Sequence, residues 1–134
     1  MIMHWASEYI GIQWEYGARG PDSYDCWNFV REVQSKKFNV DVPIIEYVDQ
    51  RDVFYQLQHN AELDRWKQVE SPIEGDIVMM ARAKIPAHVG IWINANNDEG
   101  ILHCLQGSGV VFMRQNSIRS NGWGQLKFYR RKDE

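Results

Sequence analysis

The chemistry open to this chain rests on two cysteines and four histidines, and their surroundings separate them. Cys26 follows Gly20-Pro21-Asp22-Ser23-Tyr24-Asp25 and precedes the apolar positions Phe29, Val30 and Val33. A glycine-proline turn, an aspartate and then helical spacing predict a helix over about residues 25 to 37, with Asp25 as N-cap and Cys26 in its first turn. A thiol in that place meets unpaired backbone N–H groups and the positive end of the helix dipole. Both favour the thiolate, the attacking form of cysteine. Cys26 is therefore a candidate nucleophile, given a base within reach.

Histidine is the usual base, and a third polar group usually orients it. His4 lies at the start of the chain and His59 late in an expected helix. His88 opens the strand-like run His88-Val89-Gly90-Ile91-Trp92-Ile93-Asn94, and His103 lies in the next strand. Neighbouring antiparallel strands set such side chains next to each other on one face. The expected relay is Cys26 as nucleophile, His88 as base and His103 as the group that holds the His88 ring, with the Cys26 helix packed across that face. Alternation along the strand turns Cys104 to the opposite face, where a structural role is expected. Taken singly, these residues have plainer readings: an N-cap for Asp25, a hydrogen-bonded core residue for His103.

The positioning elements follow from periodicity and turn residues. Residues 3 to 11 read as a short helix, and a third helix begins at Asp49 or Asp52 and runs to about Leu63. Beyond Pro72 the pattern becomes strand-like. Strands are expected at 75–82 and 88–94, a turn at 96–100, a hairpin of 101–106 with 110–115 across Gly107-Ser108-Gly109, and a last strand at 125–130. Helices first and an antiparallel sheet of about five to six strands afterwards make an α+β fold. A length of 134 residues fits a single domain over residues 1–134.

Composition narrows the function classes. A net charge of −3 and a pI near 5.8 give no electrostatic footprint for nucleic acid. The basic run Arg130-Arg131-Lys132 ends in Asp133-Glu134 and reads as a solvated tail. The two cysteines form no disulfide framework and no usual zinc pattern, so neither a metal nor another cofactor is expected. No segment approaches the ~20 apolar residues of a membrane span. The first residues lack the basic start and apolar run of a secretory signal, so synthesis in the cytoplasm is expected.

The ordered motifs resemble the NlpC/P60-type cysteine peptidases, a papain-like family that hydrolyses the peptide stems of peptidoglycan. The matching residues are Trp14-Glu15-Tyr16-Gly17, Asp25-Cys26, Pro72-Ile73-Glu74-Gly75-Asp76 with Ile77-Val78, His88-Val89-Gly90-Ile91 and Ile101-Leu102-His103. The resemblance spans about residues 10 to 130. It implies Cys26 as nucleophile, His88 as base, His103 as third member, and cleavage beside D-glutamate through an acyl-enzyme. It also sets Trp14, Tyr16, Asp25 and Trp27 around the oxyanion and substrate positions. Trp14 stands where the family usually has tyrosine, so an indole N–H takes the place of a phenol. Trp27-Asn28 replaces the commoner Ser-Gly, and an indole there narrows or reshapes the expected pocket. That feature motivates an alternative in which the same apparatus serves as an acyltransferase or small-molecule amidase. The Gly-Pro-Asp-x-x-Asp-Cys-Trp variant is similar to short members encoded with phage tail genes, which implies action at the cell wall with phage tail proteins as partners. A catalytically silent tail-assembly protein, binding through tryptophans such as Trp123, is the non-enzyme alternative. For Trp123 itself, a hydrophobic plug over the last turn is the expected role.

Overall fold

A computed structural model describes residues 4–44, 65–82 and 85–132. The expected helix from Asp49 or Asp52 to Leu63, with His59 on it, lies outside the described residues. The first element among the described residues is a single 3-10 turn, Trp5–Glu8, where a helix over 3 to 11 is expected. One turn before Gly11 is too short to repay helix nucleation, and His4 Nδ1 caps it by accepting from the Ala6 N–H at 3.0 Å.

Two short strands, β1 (Gln13–Trp14) and β2 (Ser23–Tyr24), pair in parallel and lead into α1 (Cys26–Phe38). The helix begins where the sequence predicts. Asp25 is extended, and its Oδ1 accepts from the Asn28 N–H at 2.7 Å. The helix ends at Asn39, whose φ of 56° is left-handed, a conformation that asparagine tolerates.

A six-stranded antiparallel sheet follows: β3 (Trp66–Val69), β4 (Ile77–Arg82), β5 (Ile85–Ala95), β6 (Asp98–Leu105), β7 (Gly109–Arg114) and β8 (Gln125–Arg131), in the order β3-β8-β4-β5-β6-β7. The expected turn at 96–100 contracts to Asn96-Asn97, whose φ values of 57° and 71° suit a two-residue hairpin. Strand β3 escapes sequence reading because four residues carry too little alternation. It is defined by pairing with β8, Trp66 opposite Arg131 and Val69 opposite Phe128.

Alternation divides the sheet's side chains between two cores. Met79, Val89, Ile91, Leu102 and Cys104 face α1, where they meet Trp27, Phe29, Val30 and Val33. Val78, Met80, Trp92, Ile101 and Met113 form the other face, which Ile118 and Trp123 cover. The Pro72–Asp76 motif is the hinge into β4. Asp76, 2% exposed, accepts from Arg130 Nε at 2.9 Å and Nη2 at 2.8 Å and from the Ile73 N–H at 2.8 Å. Gln34 of α1 donates to the Gly75 carbonyl at 2.8 Å, tying the helix to the same corner.

Candidate active site

The parallel bridge sets Tyr24 beside Trp14, and the Asp25 N–H donates to the Ala18 carbonyl at 3.1 Å. These bonds fix the approach to α1 and so the position of Cys26. Both oxygens of Asp25 are engaged by Asn28, the second through Nδ2 at 3.1 Å. Arg31 then donates to Asn28 Oδ1 at 3.1 Å and extends the chain of bonds. The N-cap reading of Asp25 therefore holds.

Cys26 is 1% exposed. Its thiol pKa is raised, first by burial and then by the charges of Asp25 and Cys104, while backbone hydrogen bonds from Trp27 and Val89 act in the lowering direction. Burial thus outweighs the helix terminus. The thiolate expected from sequence gives way to a neutral thiol, because desolvation acts on the whole charge and the dipole on part of one.

The influence of the Val89 backbone on the thiol places Cys26 near β5. The β5–β6 ladder runs from Ala95 opposite Asp98 to Ile91 opposite Leu102. Trp92 exchanges backbone bonds with Asp76 and Gly75 on the β4 side, so alternation turns the Val89 N–H toward β6. That N–H lies beyond the last ladder pair, and the Val89 backbone acts on the Cys26 thiol in the lowering direction. The sulfur therefore meets the residue directly after His88.

His88 and His103 come together as expected, with Nε2 of His88 2.8 Å from Nδ1 of His103. Both are buried, at 1% and 2% exposure. They project to the face opposite the one that α1 covers, as the pairing of His88 with Met80 and the neighbours of Gly90 show. The expectation that the helix packs across the histidine face is corrected here. The helix covers the other face. Gly90 allows the approach of the rings: a Cβ there would lie 2.6 Å from Ile101 Cγ2 and 3.0 Å from His103 Cβ. Burial lowers the His103 pKa to about 4, so this ring is neutral at neutral pH.

Cys104 points to the α1 face and its Sγ donates to the Tyr24 carbonyl at 3.3 Å, which requires the protonated thiol. Both cysteines are free. Burial, then Asp25, pushes the Cys104 pKa up to about 12, in keeping with its expected structural role.

The remaining positions divide. Trp14 is half-buried on β1 and its Nε1 is buried with no hydrogen-bond partner, an available donor. Tyr16 is 56% exposed in the loop that follows. Trp27 departs from expectation. It is 1% exposed in the core, and its indole N–H donates to the Pro43 carbonyl at 2.9 Å. It therefore presents almost no surface of its own to a substrate. Trp123, at 5% exposure, is likewise no exposed binding residue and serves as the expected plug. Its ring also stacks on His88, with centroids 5.5 Å apart and planes 23° apart. Sequence reasoning missed this partner, since nothing local joins residues 88 and 123.

The NlpC/P60 family model matches residues 11–131. The chain belongs to the NlpC/P60 family. A single described α-helix against a six-stranded antiparallel sheet agrees with that fold. The family is typically one of cysteine peptidases and amidases that act on peptidoglycan peptides. A comparison with individual curated proteins gave no match.

Proposed function

We propose that this NlpC/P60 protein hydrolyses an amide bond beside D-glutamate in peptidoglycan stem peptides, through an acyl-enzyme on Cys26. The observation that carries the reading is the buried His88–His103 hydrogen bond beside the strand position that meets the Cys26 sulfur. The bond engages Nε2 of His88, and in this reading Nδ1 is the atom that exchanges a proton with Cys26. For Nδ1 to accept a proton, the shared hydrogen must sit on His88 Nε2 and be accepted by His103 Nδ1. Neutral His103 then carries its own proton on Nε2.

From this state the Cys26 Sγ–H passes its proton to His88 Nδ1 as sulfur attacks the scissile carbonyl carbon. The C–O π pair becomes the oxyanion, which the Cys26 backbone N–H and the Trp14 indole N–H are suited to receive. Collapse breaks the C–N bond, and His88 Nδ1–H protonates the leaving amine. Water then attacks the thioester as His88 takes its proton, and the C–S bond breaks as His88 returns that proton to sulfur, releasing the acid and restoring the thiol. Because the resting thiol is neutral, proton transfer accompanies attack, and the base is needed in the first step.

Two further parts of the reading, action at the cell wall and association with phage tail proteins, rest on sequence similarity to short tail-encoded members. Co-purification with assembled tails tests the second. The catalytic part is tested by Cys26→Ala and Cys104→Ala on purified peptidoglycan, with mass analysis of released peptides. Loss of cleavage in the first variant alone is expected. Cleavage by Cys26→Ala at the wild-type rate would overturn the reading.

A further inference from the structure

Trp123 is held more firmly than a surface plug requires. Its backbone N–H donates to the Ile118 carbonyl at 3.3 Å, at the end of two short 3-10 turns, Gln115–Ser117 and Arg119–Asn121. The Asn121 amide donates to the Ser117 carbonyl at 2.7 Å. Gly122 has a φ of 92°, a left-handed conformation that turns the chain back toward the sheet. The indole then packs with Met80, Met113 and Ile118 and lies nearly parallel to the His88 ring. With His103, Arg114 and Asn121 it also walls a cavity of about 580 Å³ on this face.

An imidazole turns about its last side-chain bond with a broad two-fold profile. The hydrogen bond to His103 fixes one edge of the His88 ring, and rotation about that edge changes the direction of Nδ1. A flat partner at stacking distance removes that freedom. We propose that Trp123 is a positioning residue, which sets the plane of the His88 imidazole and keeps water from the His88–His103 hydrogen bond. The proposal rests on the reading of His88 as the base.

The dry side of the relay has its own signature. His103 Nε2 is buried without a hydrogen-bond partner. Removing the indole would widen the cavity that His103 already lines and let water reach this nitrogen. Among the described residues, the ionisable groups near the pair include Cys26 on α1, Asp25 at its N-cap, Cys104 on β6 and Arg114 on β7. Among them Arg114 is held by Asp98 at 2.7 Å. Hydration of His103 therefore moves its protonation back toward the ordinary histidine range, since burial is what lowers it. Protonated His103 has no lone pair at Nδ1 for the His88 N–H, so the acid limb of activity moves to higher pH.

The test compares Trp123→Ala and Trp123→Phe, with Ile118→Ala as a packing control from the same cluster. Hydrolysis of a stem peptide and alkylation of Cys26 by iodoacetamide are followed from about pH 5 to about pH 9, beside thermal unfolding. Trp123→Ala should lower kcat about 10- to 100-fold, the scale of a misplaced catalytic group, with KM within about twofold of wild type. Its acid limb should rise, and the response of alkylation to His88→Ala should shrink. Trp123→Phe keeps a flat ring and should restore most of kcat. Ile118→Ala should lose thermal stability and keep the wild-type pH profile. An unchanged profile in Trp123→Ala, or the same change in Ile118→Ala at equal stability, would overturn the proposal. Alkylation requires no peptidoglycan. A wild type inert toward peptidoglycan but with Trp123-dependent alkylation would sink the substrate reading and sustain this one.

Discussion

Replacing Gly90 by alanine tests the link between packing and relay most directly. The new Cβ would lie 2.6 Å from Ile101 Cγ2, 3.0 Å from His103 Cβ and 3.0 Å from the Leu102 carbonyl, against an ordinary contact of 3.4 Å or more. The first clash is with a side-chain tip on a buried residue, and the other two are with the body of β6. Relief requires β6 to move away from β5 by about 0.4 Å, the deficit at the two stiffer contacts. Added to the 2.8 Å His88–His103 bond, that shift gives about 3.2 Å, the outer edge of a good hydrogen bond. Overpacking a buried methyl costs about 1–3 kcal/mol, and a Tm decrease of about 3–10 °C follows for a domain of this size. The loss of kcat should be larger than stability alone implies, about 10-fold or more, because the relay is strained in the molecules that stay folded. Thermal unfolding and steady-state hydrolysis of a stem peptide, both well below Tm, separate the two effects. A Gly90→Ala protein with wild-type Tm and wild-type kcat would refute the argument that this glycine admits His103 to the relay.

Other expectations follow from the same packing. Cys104→Ala should keep activity and lose about 1–2 kcal/mol through a small cavity and the lost bond to the Tyr24 carbonyl, measurable by denaturant unfolding. His103 is neutral when folded, with a pKa lowered to about 4 against 6.5 for the free side chain, so its contribution to stability is present above pH ~6.5 and lost as pH falls toward ~4. The displacement corresponds to about 3 kcal/mol, and His103→Gln should flatten that part of the stability–pH curve. Arg130→Ala leaves the buried Asp76 carboxylate without its bidentate partner and should cost about 3 kcal/mol, read as a lower Tm; a neutral result would mean that water replaces the guanidinium freely.

Much of the scaffold could be read from local signals. The start of α1 is written in Asp25 and the apolar spacing after Cys26, because a cap and a helical stripe involve residues only a few positions apart. Strands β4 to β8 follow from alternation and from Asn96-Asn97 and Gly107 in the turns. Once β5 and β6 form a hairpin, period-two geometry alone puts His88 and His103 on one side. What remained hidden depends on residues far apart in sequence. Burial of Cys26 comes from α1 meeting β5, and it reverses the effect of the helix terminus on the thiol. Trp27 has a core partner in the Pro43 carbonyl, which no spacing reveals. Which face of the sheet α1 covers, and which tryptophan lies against His88, are settled by packing across about 35 to 60 residues of chain. Periodicity fixes which side chains share a face, whereas desolvation and stacking belong to whatever the folded chain brings against that face.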